Sequence, residues 1–396
     1  MEMQKICYNM LTMTRELLSL DFYGEGVTAA LATLDEQTGT LRIRHLLRQA
    51  SSSLNGAVVR NLSGAQETLG RVFTEMAQYT QGTPTVIVGV RSSFLSFRHS
   101  TGTAYTEARS QLIRESDIRN ALENSIPPHL SDMLEVVDIL PLSYSIDDQH
   151  GMPNPQGMHG YSLEAETFIS LAVRTHLTNL NQALTASGCE EYQLLPSSVA
   201  LGDAVLLPAE KSGRTLLIDL GESGISAVLY HKNSIWEGWE MPFGLEMAAE
   251  QMADLLQNDL PTVRKLVYQY EPDPIMDEVL EDSARPLIEA IHKELVQTQS
   301  LAYIHHPPTQ LVLCGLGANP VLLKSLQHTL GLRKARLGTF EHVIADCETN
   351  LPQYDGVLSL LEHTLMREEH QFGTAPVQET GFFGNLLAKF GLNSLF

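Results

Sequence analysis

The sequence predicts an α/β protein of two related lobes with a small α+β module inserted into the first. Three observations carry this expectation. Strand and helix signals alternate through most of the chain, and two strand–turn–strand openings, at Asp21 and Asp219, stand about 200 residues apart. Between about Val90 and Ala172 the texture changes to polar strands and turn-rich stretches.

The elements follow in order. "LLSLDFYGEGVTAALATL", residues 17–34, reads strand, glycine turn, strand, and "TGTLRIRHLLRQA" adds a third strand by alternation. A helix is expected over Ala65–Gln78, then a continuous apolar strand, "TPTVIVGV", at Thr83–Val90. The altered region holds a helix opening at Arg114, "RESDIRNALENSI", and the turn-rich "DDQHGMPNPQGMHG". A helix over Thr175–Ser187 restores the α/β texture, followed by "RTLLIDLGESGISAVLY" at 214–230. Helices fill roughly Leu245–Leu301, and "TQLVLCGLGANPVLLKSLQHTLG" turns at Gly315 and Gly317 from a strand into a helix. The expected organisation is therefore 16–89 with 173–213 as the first lobe, 90–172 as the module and 214–363 as the second lobe, with a helical subdomain near 245–301. A polar linker, 364–380, precedes an apolar terminal helix, 381–396.

Composition narrows the function. Lys plus Arg number 26 against 47 Asp plus Glu, a net charge of -21, which argues against nucleic acid and against broad contact with an anionic membrane. The four cysteines, Cys7, Cys189, Cys314 and Cys347, form no CxxC pair and no zinc spacing. A reducing cytoplasm is expected, with neither a spanning helix nor an export signal. No Ser-His-Asp or Cys-His arrangement offers a catalytic residue. His305 and His306 precede two prolines and read as a solvated connection, while Trp236 and Trp239 read as packing against a neighbouring subdomain.

A carboxylate and glycines between two strands suit either a tight turn or a loop facing phosphate, where backbone N–H groups approach an anion and the Asp holds a metal or orients a water. Two such hairpins and a late glycine turn resemble the ATPase fold of actin, the heat-shock chaperone ATPases and the sugar kinases. The resemblance implies ATP with Mg²⁺, contacted by Asp21, Gly24 and Gly26, by Asp219, Gly221 and Ser223, and by Gly315 and Gly317, with Asp21 and Asp219 on the metal side. Residues 136–173, "VVDILPLSYSIDDQHGMPNPQGMHGYSLEAETFISLAV", and "SQLIRESDIRNALE" before them resemble the subdomain peculiar to the bacterial cell-division actin homologue FtsA. That resemblance extends, at low identity, from about Leu17 to the end.

The phosphate loops depart from the family pattern. "DFYGEGVT" places Tyr23 where Gly is expected and Glu25 among the phosphate contacts. The second loop runs Asp219, Gly221, Glu222, Ser223, Gly224, Ser226, without the family's second Asp, and the late turn reads "CGLG". A like charge at 4 Å costs roughly 1 kcal/mol in water and about 4 kcal/mol at an effective dielectric of 20. Glu25 and Glu222 thus predict slow or absent hydrolysis in a degenerate site, unless they face solvent or help bind Mg²⁺. Moving the first loop by one residue would bring Gly24, Gly26 and Thr28 nearer the phosphates.

The tail is read on its own physics. On a helix capped by Thr380, Phe382, Phe383, Leu386, Leu387 and Phe390 share one face, with Lys389 the only cation. Five large apolar side chains offer on the order of 10 kcal/mol before ordering and partial burial are subtracted, a weak anchor that polymerisation would reinforce. The opposing reading is a terminal helix docked on the body. The FtsA resemblance implies a cell-division adaptor at the inner face of the cytoplasmic membrane, binding lipid through this helix, self-associating into filaments and holding an FtsZ-like tubulin homologue. A PilM-like pilus-assembly protein and a soluble ATPase or sugar kinase are the alternatives.

Overall fold

The computed structural model describes residues 14–35, 38–107, 110–297, 303, 306–340, 343–345 and 351–370. β1 (Thr14–Tyr23), β2 (Gly26–Asp35) and β3 (Thr40–Ala50) form an antiparallel meander. β1 is buried on both faces, as a strand covered by helices on each side must be. A small hairpin, β4 (Leu54–Asn55) and β5 (Val58–Val59), leads to α1 (Leu62–Met76). The Asn61 side chain starts that helix by accepting the Gly64 N–H at 2.9 Å. β6 (Thr85–Val90) then joins β1 in parallel.

The inserted module follows: β7 (Leu95–Tyr105), α2 (Glu115–Asn124), β8 (Leu134–Ile146), β9 (Gln149–Met152) and β10 (Ser162–Val173). Its antiparallel sheet has the order β7-β10-β8-β9. α2 packs so closely on β7 that a Cβ at Gly102 would collide with the backbone at Ala121 and Ser125. Gly102→Ala is therefore expected to cost about 1–3 kcal/mol, measurable by chemical denaturation; an unchanged midpoint would show that the helix can shift freely.

The chain returns to the first lobe through α3 (Arg174–Ala186) and β11 (Gln193–Pro196), which extends the sheet beside β6 in parallel. α4 (Ser197–Val205) and the short α5 (Pro208–Ser212) lead to the second lobe. There β12 (Thr215–Leu220), β13 (Ile225–His231) and β14 (Ser234–Met241) repeat the antiparallel meander. After α6 (Glu246–Leu256), α7 (Leu260–Tyr268) and α8 (Pro274–Gln297), β15 (Gln310–Cys314) pairs in parallel with β12. α9 (Pro320–Thr329) precedes β16 (Lys334–Leu337), parallel to β15. β17 (Val343–Ala345) returns to the outer edge of β3, and α10 (Asp355–His370) closes the described chain.

Both lobes share one topology: a three-strand meander whose first strand receives two further parallel strands on its other side. Asp21 and Asp219 lie near the C-terminal ends of those equivalent first strands. α10 packs against α4, where Asp203 accepts from Lys211 Nζ at 3.0 Å and contacts His363 Nδ1 at 2.8 Å. Burial opposes the Asp203 charge, but His363 and Lys211 hold this carboxyl well below the usual range.

The module is joined to the second lobe by aromatic side chains. Phe97 and Phe168 stack at 5.3 Å in a cluster with Val199, Leu217, Val228 and Val312. His99 Nε2 lies 3.0 Å from the Trp236 carbonyl. His306 departs from the solvated position expected of it, because its ring lies edge-on to Trp236 at 4.5 Å and stacks with His231 at 5.3 Å. An aromatic surface on β14 captures the connection; His305 falls outside the described residues. Trp239 is buried in the second-lobe core, edge-on to Tyr303 at 6.1 Å.

Candidate functional site

The two meanders present their Asp residues to one another, with a third side chain between them. Arg91 immediately follows β6, whose apolar run delivers it to the same end of the sheet as Asp21. Its Nη2 lies 3.2 Å from Asp21 Oδ2 and its Nη1 2.5 Å from Asp219 Oδ2, so one guanidinium bridges the lobes. The Arg91 side chain is 14% exposed, against 5% and 1% for its partners. Asp21 Oδ1 accepts from Ser197 Oγ at 2.5 Å, at the first turn of α4. Gly356, in the first turn of α10, has no room for a Cβ, which would overlap the Asp21 carboxylate and stand 2.9 Å from Arg91 Nη2. Two helix N-termini thus approach the Asp21 carboxylate, the end that favours negative charge.

The glycines act in two ways. Gly24 and Glu25 make the turn between β1 and β2, and Gly26 pairs with Tyr23 so closely that a Cβ would meet the Tyr23 phenol. Thr28 is an ordinary β2 residue opposite Asp21, donating its Oγ1 hydrogen to the Asp21 carbonyl at 3.2 Å. Gly221 closes the second turn by donating to the Gly224 carbonyl at 3.1 Å, while the Gly221 and Glu222 carbonyls accept from Leu245 and Glu246 at 3.0 Å. Gly315 adopts φ +87, a conformation glycine takes without strain, and lies against Asp219. Gly317 donates to the Leu220 carbonyl at 3.0 Å and packs under the Leu220 side chain.

The hairpin turns also meet each other. The Glu222 side chain covers Gly24, its Cδ 2.9 Å from the place a Cβ would take. Arg48 holds Glu222 across the gap at 3.5 Å and stacks over Tyr23 at 3.8 Å. Glu25 points away to Arg60 at 3.0 Å, and Ser223 Oγ lies 3.4 Å from Asn55 Oδ1. Glu222 is therefore paired across the lobes, and burial pushes its carboxyl up despite Arg48.

Two further acids surround the Arg91 bridge. Burial pushes Glu240 up to about 8, against its hydrogen bond from Ser226 Oγ at 2.7 Å and the pull of Arg91. Burial also pushes Asp355 up to about 8, although its Oδ2 accepts the Gly315 N–H at 2.9 Å. Asp219 is raised by burial, with Arg91 opposing. For Arg91 itself burial works against the charge, but Asp21 and Asp219 raise it above the ordinary arginine range. The site is a set of acids organised around one fixed cation.

Mg²⁺ would need oxygen ligands at about 2.0–2.1 Å in octahedral geometry. Asp21 Oδ1 is engaged by Ser197, Asp21 Oδ2 and Asp219 Oδ2 by Arg91, and Asp219 Oδ1 lies over Gly315. Neither Asp219 oxygen has an aligned hydrogen bond, so charge attraction holds that carboxylate. Among the described residues no three His, Cys, Asp or Glu side chains converge as a metal site. With Arg91 between the two carboxylates and Glu222 over Gly24, this arrangement does not fit a Mg²⁺-bound triphosphate. Asp21, Asp219, Gly221 and Gly315 gather around Arg91 and Gly24 meets Glu222 across the hairpin turns, whereas Ser223 meets Asn55, Gly26 packs against Tyr23 and Gly317 packs against Leu220. Sequence reasoning missed Arg91, Ser197, Glu240 and Asp355; the one available signal was an arginine directly after the buried run "TVIVGV". Phe382, Phe383, Leu386, Leu387, Lys389 and Phe390 lie outside the described residues, among which no helix is long and apolar enough to cross a membrane.

Two copies of one meander bridged by Arg91, with a module inserted in the first, make this an actin-like ATPase fold carrying an FtsA-type insertion. A family model described as the SHS2 domain inserted in FtsA matches residues 95–170. The cell division protein FtsA of Streptococcus pneumoniae is 20% identical over 396 residues, covering 90% of this chain and 83% of that protein. FtsA of Enterococcus hirae is 27% identical over 154 residues, 38% of this chain. This chain spans only 34% of that relative, and 45% of the FtsA proteins of Enterococcus faecalis and Bacillus subtilis. Among solved structures, a PilM-PilN type IV pilus biogenesis complex matches with a TM-score of 0.58 at 16% identity, over 89% of this chain and 98% of that one. The chain is thus a distant homologue of FtsA over most of its length.

Proposed function

We propose that this protein is an FtsA-like adaptor of cell division, tethering an FtsZ-type tubulin homologue to the cytoplasmic membrane, with a degenerate nucleotide site. The observation that carries the reading is the FtsA-type SHS2 domain at residues 95–170, placed between β6 and α3. The apolar face of 381–396 supplies the membrane contact, and filaments of the chain supply the avidity that one weak tail lacks. The proposed location is peripheral, on the inner face of the membrane, and turnover of ATP is slow or absent. Asp21, Asp219 and the glycines of the two hairpins serve as structure in this reading.

The test is co-sedimentation with phospholipid vesicles, with and without FtsZ-type filaments. The full chain is expected to pellet with vesicles and carry the filaments down, while a chain ending at residue 380 stays in the supernatant. Equal pelleting of the shortened chain would remove the tail from the reading. A PilM-like function shares the fold and predicts a docked tail, so that full and shortened chains alike stay in the supernatant with protein-free vesicles.

A further inference from the structure

We propose that Arg91 is the resident cation of the interlobe cleft, holding the two lobes closed without a bound ligand. This rests on reading the cleft as a degenerate nucleotide site, but not on the membrane tether. In a two-lobed cleft whose facing strands both end in carboxylates, something positive must lie between them, because two buried like charges repel strongly at short range. Here the positive group is part of the chain. Arg91 reaches Asp21 of the first lobe at 3.2 Å and Asp219 of the second at 2.5 Å.

The surroundings are built to its shape. Ser197 fixes the far oxygen of Asp21, and Gly89 and Gly356 leave space where any Cβ would overlap Ser197 or Asp21. Ser19 Oγ ties the first lobe to α10 by donating to the Val357 carbonyl at 2.9 Å, and Asp355 of the same helix turn holds Gly315 of the second lobe. A second crossing ion pair, Arg48 with Glu222 at 3.5 Å, closes the mouth where the hairpin turns meet. A guanidinium is always charged and cannot diffuse away, so closure set by Arg91 is constitutive.

The experiment uses the full chain and reads interlobe geometry and stability together. Small-angle scattering and urea unfolding are measured for the wild type, Arg91→Met and the double variant Arg91→Met with Asp219→Asn, each with and without millimolar Mg²⁺ and ATP. The wild type is expected to show the same radius of gyration and midpoint in both conditions. Arg91→Met leaves two buried carboxylates without their cation, so its folding equilibrium constant is expected to fall roughly 10²- to 10³-fold, with an enlarged radius where it folds. Removing the Asp219 charge is expected to recover a substantial part of that loss. If Arg91→Met does not fold, the double variant carries the test: recovery of a folded chain supports the latch, and failure to recover overturns it. A wild-type radius and stability in Arg91→Met would also overturn the proposal. So would saturable binding of labelled ATP to the wild type, whatever the vesicle experiment returns.

Discussion

Phe168→Ala is expected to destabilise the protein by about 3–5 kcal/mol and to loosen the module from the second lobe. Phe168 is 1% exposed, stacks on Phe97 at 5.3 Å and meets His99 edge-on at 5.3 Å. Its neighbours come from different elements: Val199 and Leu201 from α4, Leu217 and Val228 from the second-lobe sheet. Truncation removes the transfer energy of a large ring and leaves a cavity that several elements would have to move together to fill. Phe97→Ala empties part of the same space, so the double variant should lose less than the two single losses added. Urea unfolding checks the magnitude, and limited proteolysis within 95–170 reports the loosening. Met133→Ala, at a residue 76% exposed, serves as the control and should stay within about 0.5 kcal/mol of the parent. A loss below 1 kcal/mol for Phe168→Ala would mean that the module is not held by this cluster.

The second large effect depends on pH. Glu240 and Asp355 are pushed up to about 8 by burial, and Glu240 Oε1 is buried without a hydrogen-bond partner. In the unfolded chain such carboxyls ionise near 4. Between those values the folded state holds protons that the unfolded state has released, so stability falls as pH rises from about 4 to 8. Glu240→Gln and Asp355→Asn remove an ionisable group while keeping a carbonyl oxygen to accept from Ser226 or Gly315. Each variant is expected to lie within about 0.5 kcal/mol of the parent near pH 4, and its advantage is expected to grow by about 3–4 kcal/mol between pH 5 and pH 8. Parallel stability curves from pH 5 to 8 would show that neither carboxyl is protonated in the folded protein. Because both acids face Arg91, the gains in a double variant should not be additive.

Much of the architecture was legible because its signals are local. The runs "LLSLDFY" and "TLLIDLG" encode strands whose apolar residues suit burial on both faces, and the glycine turn just after each Asp marks where the strand ends, the Asp itself staying buried. The module announced itself through "NPQGM" and polar alternating strands, a texture no buried parallel sheet would carry. Glu25 and Glu222 both stood out as acids beside phosphate-type turns, yet only structure separates them. Glu25 turns outward to Arg60, whereas Glu222 crosses the cleft to Arg48. His306 was misread because a histidine before two prolines looks solvated until the Trp236 surface that receives it is known.

By itself the sequence determined the repeated strand openings, the two carboxylates that end them and the inserted module, since strand burial and turn chemistry depend on neighbours within a few residues. The tertiary structure alone decided what those carboxylates face. Arg91, Ser197, Gly356 and Asp355 come from separate elements, and only the packing of β6, α4 and α10 brings them together around Asp21 and Asp219. An arginine after an apolar strand reads in sequence as an ordinary polar exit from the core. Its meaning changes when the fold removes it from water and leaves a carboxylate from each lobe as its partners, because a buried charge is retained only where opposite charge and hydrogen bonds compensate its lost hydration.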